Sequence, residues 1–263
     1  MFTVTIDRPT DWPNARIHIL SDLHIGDAHS DMRTIEARID AIKNDPRALV
    51  VLNGDIMNTA TKSSASDIYS EALKPMEAIG RAVQLFTPIA DKIIGADTGN
   101  HESRVYRQDG IDIMRLVCRE LGCEQVYSPE GVLIFLRMGC KPRHECPNNR
   151  TDAPWTYTIY ATHGTGGGKR EGGKAIRLAD LAAIVDADIY IHSHTHLPMV
   201  MKEAFFRTDI QNQKVRCVEK LFVNDASSTT YGGYGQTFCF KPSSQSSPVI
   251  HLRGDEKAMT ATL

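Results

Sequence analysis

Residues 187–196, ADIYIHSHTH, join a short apolar run with strand character to a segment rich in histidine. In an extended chain the rings of His194 and His196 project to one side, an arrangement that suits a shared metal ion but proves nothing alone. The same junction recurs earlier in the chain. RIHIL, ending at Leu20, leads to Ser21, Asp22, Leu23 and His24, and ALVVL, residues 48–52, leads to Asn53, Gly54 and Asp55. KIIGADT leads to Gly99, Asn100, His101 and Glu102, and WTYTIYAT leads to His163 and Gly164. Ligands of open α/β sheets collect at the carboxyl ends of strands, where distant segments face one crevice. Five such ends would bring together Asp22, His24, Asp55, Asn100, His163, His194 and His196.

Between the apolar runs lie stretches with helical periodicity, the alternation of an α/β protein. In DMRTIEARIDAIKN, residues 31–44, Met32, Ile35, Ile39 and Ile42 share one face. Further helices are expected from about Asp67 to Phe86, where Pro88 helps to stop the turn, and over GIDIMRLVCREL and KAIRLADLAAIVD. VLIFLRM reads as a strand, and KPRHECPNNRTDAP as a loop. VRCVEKLFVNDAS, QTFCF and PVIHLR give a β-rich C-terminal third, with turns at Gly232, Gly233 and Gly235. No linker composition divides the chain, so residues 1–263 are expected to form one domain whose last third contributes to a second sheet.

Thirty basic side chains against 32 acidic ones give a formal charge of −2, which argues against a broad nucleic-acid-coating surface while allowing a local basic patch. No apolar run approaches the roughly 18 residues needed to span a bilayer, and MFTVTIDRPTDWPN lacks the apolar stretch of a secretory leader. A cytoplasmic location without membrane partners is the expectation. The six cysteines are then reduced and serve packing. Cys140 and Cys146, with His144 between them, have no second ligand pair at finger-like spacing, so a zinc site there is disfavoured.

Imidazole and carboxylate donors without thiolate suit Mn, Fe or Zn better than Ca or Mg. Seven candidate ligands exceed the needs of one tetrahedral ion, and a pair of ions sharing a carboxylate suits in-line displacement at phosphorus. Taken together, Asp22-x-His24, Gly54-Asp55, Gly99-Asn100-His101-Glu102, His163 and His194-x-His196 resemble the calcineurin-like metallophosphoesterase superfamily. The resemblance implies a four-layer α/β/β/α sandwich with two mixed sheets and a dinuclear site at the strand ends. It places Asp22, His24, Asp55 and His196 on one metal and Asp55, Asn100, His163 and His194 on the other, with Asp55 bridging. The cofactors implied are two divalent ions, Mn first, with Fe, Zn or Ni as alternatives.

Two cations sharing a water lower its pKa toward neutrality, so a bridging hydroxide would attack phosphorus. His101 matches the superfamily's general acid for the leaving alkoxide. Asn58 stands where the superfamily's protein phosphatases carry an acidic residue that orients this imidazole, and their following Arg-Gly is absent. Asn58 is therefore expected to orient His101 by hydrogen bonding without favouring its cation, and protein phosphatase activity is disfavoured. Ser193 replaces the glycine that often precedes the final His-x-His, which an ordinary backbone conformation would tolerate. The glycine-rich segment from Gly164 to Lys174 is not a Walker loop. Its Lys169 and Arg170, with Asn100 and Arg104, are candidate substrate-phosphate contacts, and Arg107 is a weaker one.

These residues point to a phosphodiesterase acting on a nucleotide or nucleic acid. A phosphomonoesterase is the alternative, a nuclease resembling the recombination nucleases of the superfamily a minor one, and a non-catalytic scaffold the least favoured, because no ligand position is lost.

Overall fold

The strand Ala48–Asn53 is buried at every position, and this follows from its place inside a sheet covered on both faces, with a parallel neighbour on each side. A computed structural model describes residues 1–62, 64, 68–142, 153–166, 168, 170–237 and 239–263. In chain order the strands are β1 (Phe2–Asp7), β2 (Asn14–Leu20), β3 (Ala48–Asn53), β4 (Ile93–Asp97), β5 (Val132–Met138) and β6 (Trp155–Ala161). They continue with β7 (Ile189–His192), β8 (Met199–Asp209), β9 (Lys214–Asn224), β10 (Val249–Arg253) and β11 (Met259–Thr262). The helices are α1 (Met32–Asn44), α2 (Pro75–Phe86), α3 (Asn100–Asp109), α4 (Ile113–Glu120), α5 (Glu171–Ala179) and α6 (Gly233–Thr237).

One sheet has the order β11-β10-β2-β3-β4 and the other β1-β5-β6-β7-β9-β8. Both are mixed: β2, β3 and β4 run parallel, as do β6, β7 and β9, while β10, β11 and β8 join antiparallel. Ile17, Ile19, Val51 and Ile94 of one sheet meet Val132, Ile134, Ile159 and Leu221 of the other in a dry layer. On the outer face of the five-stranded sheet, Leu20, Val50 and Leu52 pack with Ile35 and Ile39 of α1, Ala82 and Phe86 of α2 and Val117 of α4. Across the molecule Tyr160, Tyr190 and Phe222 are covered by Leu178 of α5 and by Leu181. The result is the four-layer α/β/β/α sandwich.

Three expectations need correction. The helix expected from about Asp67 starts at Pro75, preceded by a 3-10 turn over Ile68–Ser70, because proline lacks the N–H that a helix interior requires and settles in the first turn. Asp67 itself lies outside the described residues. Of QTFCF, Gln236 and Thr237 are not strand: Gly233–Thr237 is a short helix in which the Thr237 hydroxyl donates to the Gly233 carbonyl at 3.0 Å, and the described residues of the stretch join no ladder. The C-terminal third does not belong to one sheet. β9 completes the parallel set of the six-stranded sheet, whereas β10 closes the free side of β2 in the other.

Among the described residues no helix is long and apolar enough to cross a membrane. Cys118 and Cys123 are buried as packing residues, but Cys217 and Cys239 are exposed, so packing is not the role of every thiol. Cys146 and His144 lie outside the described residues.

Candidate metal centre

The parallel strands of both sheets end on the same side, and their polar extensions meet. Asn53, the last residue of β3, spans the gap: its amide donates to the Thr162 carbonyl at 3.0 Å and to the Ser193 hydroxyl at 2.6 Å. That bond gives Ser193 a use which a glycine could not supply. The loops after β2 and β3 hold each other directly, with Asp22 N–H donating to the Gly54 carbonyl and His24 N–H to the Asp55 carbonyl, both at 3.1 Å.

Turning the chain so sharply requires left-handed backbone. Asp22, His24, Asp55, His194 and His196 have φ of 48°, 50°, 50°, 63° and 54°, a region that costs non-glycine residues roughly 1–2 kcal/mol each. Five of the seven candidate ligands therefore sit in backbone that only the surrounding hydrogen bonds sustain. Gly54 and Gly99 are needed for the crossing: a Cβ on Gly54 would lie 2.5 Å from Gly99 N, and one on Gly99 would lie 2.1 Å from Asp55 Oδ1.

The side chains form two groups that meet at His24 and Asp55. Asp22, His24 and His196 bring one donor atom each within 4.8 Å of one another, as do Asp55, His163 and His194, and a third such set joins His24, Asp55 and His101. His196 Nε2 is 3.0 Å from Asp22 Oδ1 and 3.4 Å from His24 Nε2. His163 Nε2 is 3.2 Å from Asp55 Oδ2 and 3.3 Å from Asn100 Oδ1. All seven candidate ligands are brought together.

The surroundings fix which nitrogens face inward. His163 Nδ1 lies 2.8 Å from the Asn53 carbonyl, which can only accept, so Nδ1 carries the proton and Nε2 is left toward Asp55. His101 is held likewise, with Nδ1 donating to the Asn58 carbonyl at 2.9 Å and Nε2 3.8 Å from Asp55 Oδ2. Here the Asn58 expectation is corrected: its main-chain oxygen anchors His101, while its side-chain amide turns away to Asp27 and Glu71. Two carboxylates next to the amide outcompete an imidazole that the backbone already satisfies. Thr59 donates its hydroxyl to the His101 carbonyl at 2.8 Å.

Burial works against the Asp55 charge, yet the imidazoles of His163 and His101 outweigh it and hold the carboxyl well below its usual range. Burial likewise opposes charge on Asp22, and His196 overcomes it, bringing the group to about 2. Burial pushes His24 down to about 3 and His194 to about 4. The donor set fits divalent cations on direct grounds: His194 Nδ1 is buried without a hydrogen-bond partner, and the only group hydrogen-bonded to Asp22 Oδ1 among the described residues is another candidate ligand, His196, an arrangement a cation would repair.

Sequence reasoning missed the supports. Glu102 is 1% exposed and its carboxylate accepts from the N–H groups of Asp55, Met57 and Gly99, at 3.0, 2.8 and 3.0 Å. It was visible in the Gly99–Glu102 motif but had no assigned role. Asp97 accepts from His163 N–H, and burial pushes its carboxyl up to about 8. Asp225, following β9, receives the Ser21 hydroxyl, which also reaches Asp22. Both stand at strand ends, the signal that would have found them.

Of the candidate substrate contacts, Asn100 and Arg104 are at the site. Arg104 Nη2 is 3.0 Å from His101 Nε2, and its Nη1 is buried without a partner. Arg107 and Arg170 are exposed, and Lys169 lies outside the described residues. From the glycine-rich segment it is Lys174 that reaches a ligand loop, donating to the Thr195 carbonyl at 2.7 Å.

Fold and residue set define an α/β/β/α sandwich with candidate metal-ligand side chains clustered at its strand ends. The calcineurin-like phosphoesterase family profile matches residues 15–198, which contain all seven clustered side chains, and the chain belongs to that family. Solved structures similar to it include vacuolar protein sorting 29 of Cryptosporidium parvum, with 15% identity, 95% of this chain and 98% of that one covered and a TM-score of 0.46. A predicted phosphoesterase of Streptococcus pneumoniae has 15% identity over 95% and 97% of the two chains, with a TM-score of 0.37. A nuclease of Pseudomonas putida has 11% identity over 94% and 87%, also with a TM-score of 0.37. No curated protein matches the sequence.

Proposed function

We propose that this protein is a metal-dependent phosphodiesterase that hydrolyses a nucleotide or nucleic-acid phosphodiester. The observation carrying this reading is that Asp22, His24 and His196 cluster beside Asp55, His163 and His194, with His101 against Asp55. Asp22, His24, Asp55 and His196 would hold one divalent ion and Asp55, Asn100, His163 and His194 the other, with Mn²⁺ the first to supply. When bound, such ions supply Lewis acidity and lower the pKa of water for attack on phosphorus.

The chain's own residues do the rest. His101, anchored through Nδ1, offers Nε2 to the leaving oxygen and donates the proton the alkoxide needs. Once Nε2 carries that proton it cannot also accept from Arg104, so the guanidinium turns its donors to the phosphate oxygens. Among the described residues Arg104 is the one guanidinium against His101, which matches the single negative charge of a diester better than the higher charge of a monoester.

The test is hydrolysis of bis-(p-nitrophenyl) phosphate with added Mn²⁺, with Fe²⁺, Zn²⁺ and Ni²⁺ in parallel. Turnover abolished by Asp55→Ala and His101→Ala supports the reading. A preference for p-nitrophenyl phosphate reassigns the enzyme to monoesters, and absence of turnover with every metal refutes catalysis.

A further inference from the structure

β8 and β9 pair without interruption from Met199 opposite Asn224 to Asp209 opposite Lys214. Their bases belong to the protein body, where Lys220–Asn224 is buried, but most of residues 203–219 is exposed. β8 is the edge of the six-stranded sheet. It is eleven residues long, with no proline and no bulge, and its guards against pairing with another strand are the charges of Lys202, Glu203, Arg207 and Asp209, which repel a strand of like pattern but admit one of complementary pattern.

The apolar side chains on this arm are unusually open. Phe206 is 82% exposed, Val215 62% and Ile210, in the turn, 87%. Register places Phe206 opposite Cys217 and Thr208 opposite Val215, so these four share one face. Farther along the same face stand Leu221 and Val223, which lie in the layer between the sheets. The arm thus prolongs a core-type face beyond the point where the molecule covers it.

Charge along β8 identifies what would complete the edge. We propose that β8 pairs antiparallel with β8 of a second copy of this chain, joining the two six-stranded sheets about a two-fold axis at Phe205. An axis normal to the sheet keeps each side chain on its own face, so only residues of like parity stand opposite one another. Centring on Phe205 sets Glu203 against Arg207 of the partner subunit and Arg207 against the partner's Glu203, two ion pairs from one strand sequence. Ala204 faces the partner subunit's Phe206, filling the space beside the smaller side chain. Sliding the register so that Glu203 meets Asp209 replaces attraction by repulsion, so charge selects the alignment. This surface is separate from the strand-end cluster and does not depend on the activity proposed above.

The test is the mass of the full chain in solution by sedimentation velocity. A species of about twice the 29.2 kDa chain mass is expected. Glu203→Arg and Arg207→Glu each set like charges opposite one another twice and weaken the dimer about tenfold or more, giving monomer at micromolar concentration. An equimolar mixture of the two variants restores opposite charges at both positions and restores the dimer. Circular dichroism distinguishes dissociation from misfolding, and Glu203→Arg leaves intact the ion pair that Arg207 makes with Asp186 at 2.7 Å. A wild-type chain monomeric at about 100 µM overturns the proposal. So does a dimer unaffected by either reversal, a mixture that stays monomeric, or a monomer whose arm instead binds anionic vesicles through Ile210 and Phe206.

Discussion

The two halves of the strand-end cluster are built differently. Asp55 and His163 are 1% and 2% exposed, and each is braced from behind, Asp55 through Glu102 and His163 through Asn53 and Asp97. In the other half Asp22 is held through Oδ2 by the Ser21 hydroxyl and His194 N–H, but the His196 side chain is 34% exposed and its Nε2 meets only the cluster's own Asp22 and His24 among the described residues. Equal donor chemistry thus stands on unequal support. A braced group stays in position when its ligand leaves, because its backbone and second nitrogen are already satisfied. The less supported half depends more on what it binds.

The sharpest way to break this contrast is to remove the carboxylate between the halves. Asp55→Ala is expected to lower kcat by at least about 10³-fold and to abolish tight binding at both proposed positions, read by metal analysis after dialysis. His163→Ala and His196→Ala then measure the asymmetry itself. The first should empty its half and disturb the other through Asp55. The second should halve the metal content and leave the remainder tightly held. Equal losses in the two variants would mean that bracing does not distinguish the halves.

Glu102→Ala leaves every candidate ligand in place but removes the acceptor for three buried N–H groups. It should destabilise the protein by about 2–4 kcal/mol in urea unfolding and reduce kcat with little change in KM. Glu102→Gln retains one acceptor oxygen and should recover part of both losses. If Glu102→Ala lowers only stability, the brace has no part in holding Asp55 for catalysis.

What was legible in the sequence follows from how each element is buried. β3 and β5 are dense apolar runs whose limits show in composition, and the candidate ligands show because they repeat after such runs. β1 escapes notice although Phe2, Val4 and Ile6 alternate with polar residues, because it is short and no position in it is fully buried, and β8 because its outer half has no core face to pattern it. α3 is polar nearly throughout: its one fully buried residue is Glu102, which serves the loops instead of a hydrophobic layer. The supports of the site were hidden for a related reason. Asp97 accepts from the His163 N–H, Asp225 from the Ser21 hydroxyl, and the Asn53 and Asn58 carbonyls from the rings of His163 and His101, and local sequence does not specify such contacts between loops that are remote along the chain.

The smallest expected effect lies away from the cluster and separates its acid sensitivity from that of the scaffold. His18, on β2, has Nε2 buried without a hydrogen-bond partner. Burial, helped by Arg38 and Arg16 and opposed by Asp45, lowers its pKa to about 4. In the unfolded chain the same imidazole titrates near 6.5. Between those values the unfolded state binds more protons, so stability present above about pH 6.5 is lost as pH falls toward 4, on the order of 2 kcal/mol for this group. His18→Gln should flatten that part of the stability curve, measured in metal-free protein by urea unfolding between about pH 7 and 4. An unchanged slope would assign the acid sensitivity to His24, His194 and the carboxylates around them, and would place the acid-labile part of the molecule entirely at the strand ends.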